Sequence, residues 1–568
     1  MSRTRLLLPL ILFATFALPA AADASFQARI IDKTHVSITG TDDAEAIVIG
    51  ADAFGRLTHD QTSPGFASAL DFDTSLPGTQ MVGTLPVLTV DAEGGDDRIE
   101  VTTKRVTLSA DAGEGDDIVY GSPRKDVIQG GLGDDYVAGL GGADEVFLGS
   151  GDDDAHWTAA TDAGDAIDGG EGNDTVDAWG SQAADEFNVW EQLGGVNVTA
   201  AGGSRLDTDA VETLSLPLFG GDDIVTTELV PASVRLDVAA GAGDDDLSGG
   251  AGPDDLSGGE GNDRVSGYGG DDTLSGETVV GDVGNDRMNL NAPGAYAEGD
   301  EGYDITTVGA TGGDDSISIA PQSGLVKIQG AGPAAFTDAD GVVVQAGAGN
   351  DLVTVQPGTG TLAAISVSGG PGDDTLLGSD GLEHLSGSSG QDVLDGGLAP
   401  DLLGGSSGDD VIRARDRAAD TIACDQGNDV VLADLGDLDQ LAGCEQSAPA
   451  AATGPVPLAR VAGGDELRLG GAGTVKVPVA CSAGARGGCQ GTLTLVSTDT
   501  LTNGSATPLR IAKQNVSLAP GTTADVEVPI PEGEDLARAF GTRQLTVQAQ
   551  VLTGIAEHTT LLPLNILR

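Results

Sequence analysis

Gly130-Gly131-Leu132-Gly133-Asp134-Asp135-Tyr136-Val137-Ala138 is the middle copy of a run in which Asp117, Asp126, Asp135, Asp144 and Asp153 stand nine residues apart without a slip. Two glycines and a third two residues on permit backbone conformations that a Cβ forbids, so the first six residues can make a tight turn with carbonyls pointing inward. The aspartate closes that turn. The last three residues then form a short alternating strand with its apolar middle residue turned inward, as Val119, Ile128, Val137 and Val146 would be. Two nonapeptides make one coil.

Coils of that length stacked as parallel strands roughly 4.8 Å apart place Asp117, Asp135 and Asp153 in one row and Asp126 and Asp144 in another. Neighbouring carboxylates at that spacing repel by about 1 kcal/mol in water and about 3.5 kcal/mol at an effective dielectric near 20. That is large against a net stability of about 0.1 kcal/mol per residue. A divalent cation between coils reverses the sign. Calcium suits the site best, being a hard ion that accepts six or more oxygens from carboxylates and carbonyls in forgiving geometry, where magnesium demands stricter octahedra.

The nonapeptide fits G-G-x-G-x-D-x-U-x, with U apolar, and on this motif the chain resembles RTX (haemolysin-type) calcium-binding proteins. The resemblance implies several calcium ions. Further copies carry it along the chain: Asp165 and Asp174 after a break, then Asp245, Asp254, Asp263, Asp272 and Asp286, then Asp374, Asp392, Asp401 and Asp410. All these sixth-position aspartates, from Asp117 onward, are the expected carboxylate ligands, with Gly130, Gly131 and Gly133 lending carbonyls. Arg124 and Lys125 replace the third glycine and its neighbour before Asp126, Glu383 replaces an aspartate and Ala399 a glycine, so those turns are expected to bind metal weakly or not at all.

The ladders belong to a longer repeat of about 128 residues. Asp97, Asp223 and Asp351 mark its phase, and Asp117, Asp245 and Asp374 mark it again. This gives blocks over residues 25–180, 181–308 and 309–447. Looser alternating stretches between the ladders, such as Val196-Asn197-Val198 and Val342-Val343-Val344, are expected to continue the stack as longer β-coils; the competing arrangement makes them separate small β-domains. In residues 409–445 the turns continue at Asp420 and Asp429. There Cys424 is expected to pair with Cys444, and beyond the array Cys481 with Cys489.

Residues 1–24 read as a signal peptide: Arg3 and Arg5, an apolar run, then small residues to Ala24. The protein is therefore expected to be secreted, with no later segment long and apolar enough to span a membrane. The whole chain holds 89 acidic against 27 basic residues, for a net charge of −62, together with 88 glycines and only 3% aromatic side chains. Such a surface repels phosphates and excludes nucleic acid as a partner. Strict period and apolar positions argue against disorder.

Residues 453–568 hold nine acidic and nine basic side chains, so the whole net charge lies before them. That step marks a boundary at the Ala/Pro-rich linker 448–457. From residue 458 alternating runs with Gly, Pro and Asn turns suggest a small immunoglobulin-like antiparallel β-sandwich, with one helical turn over 534–540. The expected fold is all-β, a parallel β-roll or β-helix solenoid followed by that sandwich.

Catalytic signatures are weak. H-E-x-x-H is absent and His35, His59, His156, His384 and His558 are scattered singly. Gly404-Gly405-Ser406-Ser407-Gly408 matches the nucleophile elbow but falls in register as the turn before Asp410. A β-helix lyase would need a base beside the metal, and Arg124 and Lys125 are better read as charge compensation. Trp157, Trp179 and Trp190 beside His156 suggest filling of an irregular coil more than a sugar platform. The reading is a non-enzymatic secreted calcium-binding protein that folds on extracellular calcium. The alternative is an adhesin or matrix protein presenting the C-terminal domain to a cell-surface or matrix partner, and behind it a secreted hydrolase or lyase.

Overall fold

The structure, a computed structural model, describes residues 26–444 except 33, 62–67, 77–78, 81, 83–86, 163, 193, 291–293, 331–333, 415 and 434–438, together with the strand segments of residues 459–565. Residues 1–24, the linker 448–457, the 534–540 turn and the side chains of Cys481, Cys489 and His558 lie outside the described residues. Two compact units are formed, residues 1–308 with 336–342 and residues 309–335 with 343–568.

The first unit is a parallel β-solenoid. Strand Ile118–Tyr120 pairs in parallel with Tyr136–Ala138, and Tyr136–Ala138 with Asp154–Thr158, aligning Val119, Val137 and Ala155. On the other side of the coil Thr107–Glu114, Val127–Leu132 and Glu145–Ser150 stack in the same way, aligning Ala110, Ile128 and Val146. The interior is the ladder of these middle residues: Val119, Ile128, Val137 and Val146 are all buried, as their alternation requires. Burying each stabilises the coil by roughly 1.5–3 kcal/mol, which a thin solenoid needs because it has no other core.

The ladder reaches further than a three-residue strand. Gly131 pairs with Gly113 on one side and Gly149 on the other, so the glycine turn itself joins the parallel sheet. Where the nonapeptides break, the coil lengthens: Val146 aligns with Ile167, and Trp157 fills the widened interior, fully buried.

The looser stretch of this unit is an enlarged coil. Glu186–Gln192, Gly195–Ala200 and Arg205–Asp209 form an antiparallel meander whose first strand pairs in parallel with Ile224–Glu228 and whose last pairs in parallel with Asp165–Glu171. Both ends thus stay in the stack. The antiparallel direction is not encoded in the alternation, because a period of two is the same for either strand direction.

The second unit repeats the solenoid. Thr375–Ser379, Val393–Gly397 and Val411–Ala414 stack in parallel opposite Ala364–Pro371, Glu383–Ser389 and Leu402–Ser407, with Leu376, Leu385, Leu394, Leu403 and Ile412 buried between them. The hairpin of Ser316–Gln322 and Leu325–Gln329 is again an antiparallel addition. The last coil pairs Gln440–Ala442 with Thr421–Ala423 and is closed by a Cys424–Cys444 disulfide. Farther on, Thr474–Cys481 pairs antiparallel with Thr523–Pro529, and Cys489–Ser497 lies between Arg510–Leu518 and Gln544–Thr553. The one helical element among the described residues is the 3-10 turn Thr359–Thr361, and none is long and apolar enough to cross a membrane.

Candidate metal centre

The three glycines of the nonapeptide are required for different reasons. Gly131 and Gly133 have φ of 131° and 122°, a region that L side chains enter at a cost of about 1–2 kcal/mol. A Cβ on Gly133 would also overlap the Gly115 carbonyl of the preceding coil. Gly130 has ordinary backbone, but a Cβ there would overlap a carboxylate oxygen of Asp135 and come 2.5 Å from the Leu148 carbonyl of the next coil. The first glycine therefore keeps open a small space bounded by a carboxylate and a carbonyl.

The sixth-position aspartates line up as expected, and hydrogen bonds join them. Asp117 donates its N–H to Oδ1 of Asp135 at 2.8 Å, and Asp135 donates to Oδ1 of Asp153 at 2.7 Å. Asp126 donates to Asp144 at 2.7 Å in the second row. Oδ1 is thus satisfied by backbone, whereas Oδ2 of Asp117, Asp135, Asp144, Asp153, Asp174, Asp245, Asp263, Asp272, Asp286, Asp374, Asp392 and Asp410 is buried with no hydrogen-bond partner. A buried carboxylate oxygen left unpaired costs on the order of 1–3 kcal/mol or more.

Electrostatics follow from that geometry. Burial pushes Asp117 and Asp135 up to about 7 and Asp144 up to about 8, with the neighbouring carboxylates adding to the shift and the accepted N–H opposing it. Desolvation outweighs the row repulsion expected from sequence alone. Asp272 is raised to about 7 and Asp401 to about 8 by the same cause.

Not every expected ligand shares this state. Asp126 accepts from Ser122 N–H on Oδ2 and from Leu108 N–H and Ser122 Oγ on Oδ1. Asp254 accepts from Gly250 N–H at 2.5 Å and Leu236 N–H at 2.7 Å. Burial raises both to about 6, the donated N–H groups opposing it, so it is the closed Oδ2 and not the size of the shift that sets them apart. Asp165 and Asp401 sit in the rows, accepting from Asp144 and Glu383. Lys125 pairs with Glu145 at 2.7 Å on an exposed surface, so the charge compensation expected of it is local to that pair.

Asp97, Asp223, Asp351 and Asp429 have the same orphaned Oδ2 and belong to the rows, although they are not among the ligands expected from sequence. Asp304 also extends a row, accepting from Asp286 at 3.0 Å. The turns before Asp97, Asp223 and Asp351 lack one or both of the first two glycines, with Ala92, Leu218 and Ala346 at the first position, but all five turns keep Gly-x-Asp at positions four to six. That shorter signal finds them.

Among the described residues no three acidic, histidine or cysteine side chains converge on one point, so an all-side-chain metal site is not built. What converges is a carboxylate with an unpaired oxygen and backbone carbonyls around a glycine-made space. Such an oxygen-only donor set fits a hard cation of variable coordination.

Residues 120–155, 160–181, 239–274 and 368–403 match the RTX calcium-binding nonapeptide repeat in four copies. The chain carries RTX calcium-binding repeats. The matched stretches make up under a quarter of the chain, and the hydrogen-bonded rows run beyond them to Glu45 on one side and Asp439 on the other. No curated protein matches the chain. RTX repeats wound into a parallel β-solenoid make this a calcium-binding structural fold. The G-x-S-x-G match has a structural place in it: Ser406 is the second residue of a nonapeptide turn, at φ 73°, and aligns with Ser388 of the coil before.

Proposed function

We propose that this is a secreted protein whose solenoid is completed by calcium met outside the cell. The observation that carries the reading is the buried, unpaired Oδ2 repeated along the rows. In that arrangement the row-interior aspartates, Asp135 among them, hold the ion with their second oxygen, and turn glycines such as Gly130, Gly131 and Gly133 offer carbonyls. Calcium supplies there the positive charge that buried carboxylates lack. Without it, a chain of net charge −62 must either protonate its rows or loosen them. Where calcium is scarce, as inside a cell, the chain stays loose enough for export; at about millimolar calcium, binding adds to folding free energy.

The first carboxylates of the rows fall two to a block, Glu45 and Asp126 in 25–180, Asp185 and Asp254 in 181–308, Asp315 and Glu383 in 309–447, which supports reading the array as three duplicated blocks. We read residues 458–568 as an immunoglobulin-like sandwich that the ordered array presents to a cell-surface or matrix partner. Its near-balanced charge and antiparallel strand pairs support that role.

The deciding experiment is a calcium titration of the full chain followed by far-ultraviolet circular dichroism, with magnesium as control and an Asp135→Ala, Asp263→Ala, Asp392→Ala triple variant. A calcium-specific rise in β signal, weakened in the variant, is expected. A full β signal in chelator at neutral pH, unchanged by calcium, would end the proposal.

A further inference from the structure

Tracing each N–H to the next coil's carboxylate resolves six rows among the described residues. In the first unit they run Glu45–Asp97–Asp117–Asp135–Asp153–Asp174–Glu212, Asp126–Asp144–Asp165, Asp185–Asp223–Asp245–Asp263–Glu277 and Asp254–Asp272–Asp286–Asp304–Asp340. In the second they run Asp315–Asp351–Asp374–Asp392–Asp410–Asp429 and Glu383–Asp401–Asp420–Asp439.

The first carboxylate of every row differs from those that follow. Each accepts a hydrogen bond from the backbone N–H four residues before it: Thr41 to Glu45, Ser122 to Asp126, Ser181 to Asp185, Gly250 to Asp254, Thr311 to Asp315 and Ser379 to Glu383. In four of them the serine or threonine hydroxyl donates as well. None of these six donors has a positive φ. At most row-interior turns the equivalent residue does, as with Gly131, Phe219, Tyr268, Asp282, Ser388 and Asp425, and there its N–H does not reach the carboxylate; Thr161 before Asp165 and Asp416 before Asp420 are the exceptions among the described residues. None of the six first carboxylates has an orphaned oxygen, whereas most row-interior aspartates do.

We infer that the first carboxylate of each row is a metal-free cap, its second oxygen satisfied by the chain's own N–H, and that calcium enters only at the row-interior turns. The physical reason is positional. A row-interior ion is bordered by acidic turns of two successive coils. Before Asp126 and Asp254 the preceding coil offers Leu108 and Leu236 instead, whose N–H groups bond Oδ1. With half the donors missing, the turn takes another backbone conformation and aims a peptide N–H at the carboxylate. Asp162, closed by Thr158 N–H at 2.6 Å inside the break of the first ladder, shows the same device away from a row start. The caps make each row a separate calcium array with a metal-independent first coil.

This inference rests on the calcium reading, and its test separates the two. Calcium bound per chain is measured by equilibrium dialysis at saturation, with thermal melting alongside, for wild type, for an Asp126→Asn, Asp254→Asn, Glu383→Gln variant, and for an Asp135→Asn, Asp263→Asn, Asp392→Asn variant. The row-interior variant should bind fewer ions. The row-start variant should bind as many as wild type while melting lower. Should the row-start variant not fold, Ser122→Ala with Ser379→Ala, which keeps the N–H donors, should leave the ion count unchanged and lower the melting temperature. A reduced ion count in either row-start variant overturns the inference while the calcium reading stands. No calcium uptake by wild type overturns both.

Discussion

Asp135 donates its backbone N–H to Oδ1 of Asp153 eighteen residues later, at 2.7 Å, while its own Oδ2 stays buried and unpaired. One residue therefore supplies the donor that orders the next coil and the acceptor that needs a cation. Backbone stacking and metal binding are linked through the same carboxyl group, so conditions that neutralise Oδ2 should favour the stack.

Protonation is the simplest such condition. Asp117 and Asp135 at about 7, with Asp144 and Asp401 at about 8, all stand above the ordinary aspartate value of 3.8. Between pH 4 and 8 the folded, metal-free chain thus binds more protons than the unfolded one, so its stability falls as pH rises through that window. In chelator, β structure and melting temperature should be highest near pH 5 and lost towards pH 8. Excess calcium should remove most of this dependence. A metal-free chain that becomes more stable as pH rises from 5 to 8 would contradict the burial described for Oδ2.

The repeat, the eighteen-residue coil, the two rows of the first ladder and the inward valines were all legible in sequence, because each follows from period and side-chain alternation. The state of each carboxylate was not. Asp126 and Asp135 occupy the same motif position, yet one is closed by Ser122 N–H and the other is not, a difference set by φ at the second turn residue. Ser388 and Ser406 take positive φ while Ser122 and Ser379 do not, so residue type alone does not decide it. The antiparallel strands around Val198 were hidden for a related reason: alternation does not record strand direction.

Two glycines separate conformational strain from close packing. Gly203 has φ 91° with open space where a Cβ would go, so Gly203→Ala should cost about 1–2 kcal/mol. Gly133 adds overlap with the Gly115 carbonyl, and Gly133→Ala should cost about 2–5 kcal/mol in all. Denaturant melts at saturating calcium measure both. Equal losses would mean that neighbouring coils are not in close contact at the turn.

Ser406 at φ 73° carries strain that glycine would relieve. Ser406→Gly should raise stability by up to about 1 kcal/mol, the αL cost of a side chain less the added backbone entropy of glycine. Calorimetry in calcium reads the shift. A hydrolase activity in the purified protein that this substitution abolished would instead make Ser406 a nucleophile.

The Cys424–Cys444 disulfide closes the last coil, where Gln440–Ala442 has a paired neighbour on one side only, at Thr421–Ala423. An end strand without a second neighbour opens more readily than an interior one. A cross-link over that sequence separation contributes roughly 3 kcal/mol by restricting the unfolded chain. Cys424→Ala with Cys444→Ala should therefore speed amide exchange at Thr421–Ala423 and Gln440–Ala442 by about a hundredfold, while exchange at Tyr136–Ala138 in the first unit stays the same. Reductant applied to the wild type should reproduce the effect. Unchanged exchange in the last coil after reduction would show that calcium in the rows, and not the disulfide, holds that end closed.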